Sequence, residues 1–292
     1  MSSVHKIRRN NLSGQAMAEF VVVLLPFYLL IFGAIQTALI YSAKTALNYA
    51  TFQAARIGAV NNATYTGIRK GLIRGLAPLY THSDSLDDLN YDILRGETGE
   101  GTGGNVKNAA AEVDGYTRII RLSPMASAFE SGSSGFGEQN EDGIMLIPSD
   151  NLMYRDPSPS SGGFNIQDAN LLKIKVQYCY ELIVPMVNKI IGSLSQLNNT
   201  KTSGFHPMVD DIDPRFSDAN EFAADELQGN SGLASYDELC SGGDIGYDRV
   251  DSHKGFVISA EAIVRMQSPA YETDPDEELG DRMCQKPYMV CP

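Results

Sequence analysis

Twenty-one consecutive residues without a charge, Phe20 to Ile40 (FVVVLLPFYLLIFGAIQTALI), constrain this chain more than any other feature. At ~1.5 Å rise per residue, a helix of that length covers the ~30 Å hydrocarbon thickness of a bilayer. Lys6, Arg8 and Arg9 precede it, and residues 1–14 contain no acid. The positive-inside tendency then holds the N-terminus in the cytoplasm and sends the rest outward. A cleaved secretory signal is the poorer account. Such signals usually have an apolar region of about 7–15 residues and an A-x-A-like exit, which IYSAKTALNYA lacks. A single-pass anchor is therefore expected. Charge narrows the partners. Taking the three leader cations away from the formal net charge of −13 leaves −16 on the remainder. A body that acidic repels phosphate backbones, so no nucleic-acid partner is expected.

Against the start of the apolar run stands a carboxylate, Glu19. A charge there is expensive and asks for a partner. In order, the chain has a basic leader, Gly14, the residues QAMA, Glu19-Phe20 and the apolar helix. This arrangement resembles the type IV prepilin signal. In its G-x-x-x-x-E-F form it is similar to the TadE family of tight-adherence (Tad, type IVc) pilin-like proteins, most strongly from Gly14 to Val60. The resemblance implies a cut on the cytoplasmic side, between Gly14 and Gln15, by a membrane aspartyl prepilin peptidase. It implies that Gln15, Glu19 and Phe20 head the mature helix. It further implies other Tad pilins and pseudopilins and the inner-membrane assembly platform as partners, a periplasmic main domain, no cofactor and no catalytic activity.

Elementary chemistry supports those roles. Gly14 has no side chain, so extended backbone can enter a protease cleft beside the bilayer. Glu19 lies four residues after Gln15, on the same helical face. A new ammonium at Gln15 would neutralise a carboxylate of its own chain or of a neighbouring subunit. The helix is expected to run on to about Val60, spanning ~70 Å, with Pro26 as an interruption. Small residues recur every four positions at Ala34, Ala38, Ser42, Ala46, Ala50, Ala54 and Gly58. Such a stripe permits close helix approach. With Glu19, the residues Gly33, Ala34 and Ala38 are the expected assembly contacts.

The chain thus divides into a leader (1–14), a transmembrane and assembly helix (15–60) and an extracytoplasmic domain (61–292) of α+β class. TYTGIRKGLIRGLAPLY has Ile68, Leu72, Ile73 and Leu76 on helical spacing and stops at Pro78. NAAAEVDGYTRIIRLSP, residues 108–124, reads as another helix. LLKIKVQYCYELI and GFVISAEAIVRMQSP alternate apolar and polar residues, as antiparallel strands with one buried face do. Residues 185–254 between them read as a long insertion with helical pieces in MVNKIIGSLSQL and SDANEFAADELQ.

Cys179, Cys240, Cys284 and Cys291 all follow the apolar run, in what would be an oxidising compartment. Of the three connectivities, Cys284–Cys291 and Cys179–Cys240 are favoured, closing the tail and pinning the insertion to the sheet. No metal site is expected. There is no C-x-x-C pair, and the four histidines are scattered. The acidic stretch 209–218 lacks the glycine turn and terminal Glu of a calcium loop. DPSPS at 156–160 matches a metal-adhesion signature only by letters. RGETGEGTGGN at 95–105 lacks the strand and the GK[ST] of a phosphate loop. No catalytic motif stands in a convincing setting. The competing reading is a membrane-tethered periplasmic enzyme or binding module with a leader-like N-terminus.

Overall fold

A computed structural model describes residues 15–79, 113–132, 135–158, 163–184, 255–285 and 288–291, with 110, 187, 190, 239 and 240. The fold is α+β, a long N-terminal helix followed by a domain of helices and two small sheets. Helix α1, Gln15–Val60, is unbroken through Pro26. It turns through Asn62 and Ala63, both at positive φ, into α2, Tyr65–Leu76. Thr64 caps α2 by accepting the Gly67 N–H at 3.3 Å, and a 3-10 turn over Ala77–Leu79 ends it.

Strands β1 (Thr117–Ser123), β4 (Leu171–Glu181), β5 (Gly255–Arg265) and β7 (Met289–Val290) make a sheet in the order β5-β4-β1-β7. All its neighbours are antiparallel except β1 and β7. A second antiparallel sheet joins β2 (Glu138–Gln139), β3 (Met145–Ile147) and β6 (Ala270–Tyr271). The short helix α3, Ile166–Ala169, leads into β4. Strands β4 and β5 pair along their full length, from Leu171 opposite Arg265 to Glu181 opposite Gly255.

One core lies between the lower half of α1, α2 and the first sheet. Leu47, Ala50 and Ala54 of α1 meet Ile68, Leu72 and Leu76 of α2, over Leu172, Ile174 and Val176 of β4. Glycine makes the helix contact possible. A Cβ on Gly71 would stand 2.6 Å from Ala54 Cα, and one on Gly75 would collide with Ala50 Cα. Only hydrogen fits in those spaces.

Two readings need correction. The segment 108–124 is not one helix: residues 113–116 make a helical turn, and Thr117–Ser123 is β1. Thr117, Ile119 and Ile120 are β-branched, and pairing β1 between β4 and β7 outweighs the helix-favouring alanines upstream. Strand β4 also does not have a single buried face. Lys173, Gln177 and Cys179 are buried as well as Leu172, Ile174 and Val176, so both faces of β4 are covered, with Leu239 and Cys240 against Cys179 on the second. Lys175 Nζ reaches Glu261 Oε1 at 3.1 Å, which keeps that covered face compensated.

Buried charge is handled twice more. Arg121 of β1 is fully enclosed. It donates to the Tyr271 carbonyl at 3.1 Å and lies over the Phe129 ring at 5.2 Å. Burial pulls its pKa down to about 10, opposed by the charge of Glu272, so it stays cationic at neutral pH. Arg69 on α2 grips Asp114 through two hydrogen bonds of 2.6 Å. Burial lowers the Arg69 pKa, and the Asp114 hydrogen bond and charge more than reverse that.

Candidate membrane and assembly helix

Helix α1 is two helices in chemical terms. In its most apolar stretch only 6% is buried within the molecule, and it is the one described helix long and apolar enough to cross a membrane. A core helix of this composition would be enclosed; here Phe20 is 64% and Tyr41 71% exposed. The Thr37 hydroxyl is satisfied locally, donating to the Gly33 carbonyl at 2.8 Å. From Ala43 onward one face is closed. Ala43, Leu47, Ala50, Thr51, Ala54, Ala55 and Ala59 are buried against the domain.

The lower end of α1 is fastened to the loop after β5. Gln267 and Ser268 donate backbone N–H groups to the Ala59 carbonyl at 2.9 and 3.2 Å. The Asn62 side chain donates to the Pro269 carbonyl at 2.8 Å, and the Asn62 N–H to Ser268 Oγ at 2.9 Å. The terminal carbonyl groups that a helix leaves open are thereby partly used. Sequence periodicity gives no sign of this clamp, because its partners are more than two hundred positions apart.

The expected site residues are distributed as follows. Gly14 lies outside the described residues, and Gln15 opens α1. Glu19 and Phe20 are both exposed on the first turns. Gly33 is half-buried, and a Cβ built on it would touch nothing within 4 Å; Ala34 and Ala38 are exposed. The small-residue stripe therefore splits. Its upper members face outward, while Ala50, Ala54 and Gly58 are consumed inside the chain, Gly58 against Ile68. The lower end of the stripe is thus packed within the chain, whereas the expected contacts Ala34 and Ala38 are exposed.

Gln36 escaped the sequence reading. It is fully buried inside the charge-free run, and its Oε1 accepts the Val184 N–H at 2.9 Å. Its Nε2 has no partner among the described residues. An amide amid aliphatic residues was the available signal.

Disulfides join Cys179 to Cys240 and Cys284 to Cys291. The first ties β4 to the helical residues 239 and 240, where Leu239 is buried beside it. Asp156 accepts from the Ser158 N–H and hydroxyl at 2.9 and 2.7 Å, a local turn that holds its carboxyl below the usual range. Among the described residues no cluster of three His, Cys, Asp or Glu is placed to hold a metal ion. His82, His206, His253, the loop 95–105 and the acidic stretch 209–218 lie outside them, as do residues 217–228 and most of 186–197.

Comparison with known proteins adds one finding. The family model for TadE-like proteins matches residues 14–56, which is 43 of the 292 residues and nearly all of α1. No curated protein and no solved structure matches the chain.

Proposed function

We propose, from the TadE-like character of residues 14–56, that this protein is a minor pilin or pseudopilin of a tight-adherence (type IVc) pilus. It takes part in assembly or tip presentation and acts without catalysis. The observation that carries the reading is the division of α1. An exposed apolar half begins at a carboxylate, and a buried half is locked into the outer domain. An anchor that served only as a tether has no need to continue for ~25 Å into the domain core.

In this reading a prepilin peptidase cuts between Gly14 and Gln15. The N-terminus is cytoplasmic, and the domain carrying both disulfides lies in the oxidising periplasm. Other Tad pilins pack against Gly33, Ala34 and Ala38, while Glu19 neutralises the Gln15 ammonium of its own or a neighbouring chain. Nothing on α1 then has to be lost from the domain when the helix leaves lipid for a filament. Residues 15–292 alone are already large for a repeating shaft subunit, which favours a minor component. Intact-mass analysis of protein from cells with an active Tad prepilin peptidase should give a chain beginning at Gln15. A mature chain beginning at Met1, or beyond Ile40, would remove the pilin reading.

A further inference from the structure

Gln36 lies within the run Phe20–Ile40, four residues short of its outer end. Along the helix axis that is ~6 Å inside the hydrocarbon boundary if the whole run is immersed. Yet Gln36 is fully buried and holds the Val184 N–H at 2.9 Å. Backbone from the outer domain therefore sits beside α1 at a depth the bilayer also occupies. A membrane that covers the run must meet the chain around Val184 as well.

That stretch is built for such a place. Leaving β4 at Glu181, the chain reads LIVPMVNKII from Leu182 to Ile191. Leu182, Val184 and Val187 are buried, whereas Ile183 is 68% and Ile190 49% exposed. The Val184 N–H is satisfied by Gln36, as a backbone group beside lipid requires. Exposed aliphatic residues on a soluble face are common singly, but here they flank a backbone already tied to the apolar helix.

We propose that Ile183 and Ile190, beyond the end of β4, make a second membrane contact. Ile183 and Ile190 enter the acyl boundary of the outer leaflet, at the ~5–10 Å depth usual for interfacial segments, and Gln36 fixes that depth. The occupant is a phospholipid surface, and the proposal rests on α1 being a membrane anchor. The second contact orients the domain. A single helix lets its domain swivel, whereas two contacts fix which face meets the membrane.

The chain has no tryptophan, so single substitutions report without background. Full-length Ile183→Trp, Ile190→Trp, Phe27→Trp and Tyr154→Trp would be reconstituted in phosphatidylethanolamine–phosphatidylglycerol vesicles. The lipids would carry bromine high or low on the acyl chain. Phe27 lies within the run, and Tyr154 is 91% exposed on the domain. Circular dichroism and intact disulfides would check each variant's fold. Emission from positions 183 and 190 should shift to the blue and be quenched more by high than by low bromine. Position 27 should be quenched most by low bromine, and position 154 by neither. Quenching at 27 with water-like emission at 183 and 190 would overturn the second contact and leave the anchor standing. No quenching at 27 would overturn both. Blue-shifted, unquenched emission at 183 and 190 that falls on dilution would assign the face to a second copy of the chain, against the proposal.

Discussion

The two halves of α1 share a four-residue repeat of small residues and differ in what surrounds it. Alanines at 34 and 38 are exposed, while alanines at 50 and 54 are fully buried. The difference comes from α2. Its Gly71 and Gly75 approach Ala54 and Ala50 so closely that a Cβ has no room, and the upper half of α1 faces no such helix among the described residues. Small residues thus allow close approach without saying who approaches. In the lower half the partner is the chain itself; in the upper half Ala34 and Ala38 stay exposed. A helix divided in this way can exchange its surroundings at one end while its other end keeps the domain folded.

The sharpest way to break this comparison is at the exposed end. If Glu19 pairs with a Gln15 ammonium between packed helices, Glu19→Ala leaves an uncompensated charge at a cost of about 3–5 kcal/mol, a loss of over about a hundredfold in association. Membrane levels and disulfides should be normal, but co-purification of other pilins and pilus-dependent adherence should be lost. Unchanged recovery together with normal adherence would leave Glu19 as a tolerated interfacial carboxylate.

Next in size is a matched pair of insertions, one in each half. Gly75→Leu forces side-chain atoms into the Ala50 backbone, so it should destabilise the domain at the upper end of the ~1–3 kcal/mol range for overpacking. Ala38→Leu, at an exposed position, should leave chemical denaturation unchanged and affect only recovery with partner pilins. Equal loss of domain stability from both substitutions would show that the halves are not distinct.

Gln36 marks the border between the halves. Gln36→Leu removes an unpartnered Nε2, which helps, but orphans the Val184 N–H. The net destabilisation should be about 1 kcal/mol, at the low end of the range for an unsatisfied buried group. Amide hydrogen exchange should accelerate at Val184 and not in β4. Unchanged exchange at Val184 would mean that the hydrogen bond does not hold the segment.

The smallest effect is at high pH and belongs to α2, the helix packed on the buried half. Burial, with the charge of Asp114, raises the Tyr65 hydroxyl above its ordinary pKa of 10.0. The folded chain therefore holds that proton more tightly than the unfolded one. Its contribution is complete below 10.0 and declines as pH climbs from there toward the folded value. Denaturation midpoints of the wild type should fall with alkalinity more steeply than those of Tyr65→Phe. Parallel slopes would assign the alkaline loss to other groups.

Much of the architecture is legible locally. A charge-free run of membrane length reads as a helix, since a lone segment in lipid has no other partner for its backbone groups. Leu172, Ile174 and Val176 alternate with polar residues because a strand has period two, and β4 and β5 follow from that. The helix that ends near Pro78 follows from Ile68, Leu72 and Leu76 on one face. Other features needed the assembled molecule. Whether TRIIRLS becomes helix or strand depends on β4 and β7, which lie far away in the chain. The burial of Lys173 and Gln177 depends on what packs over the second face of β4, which the alternation alone does not give. Which alanines of α1 are spent inside the domain was decided by where α2 folds back. The seat of Gln36 was decided by the exit of β4, since no local pattern can say which distant backbone amide a lone polar side chain will meet.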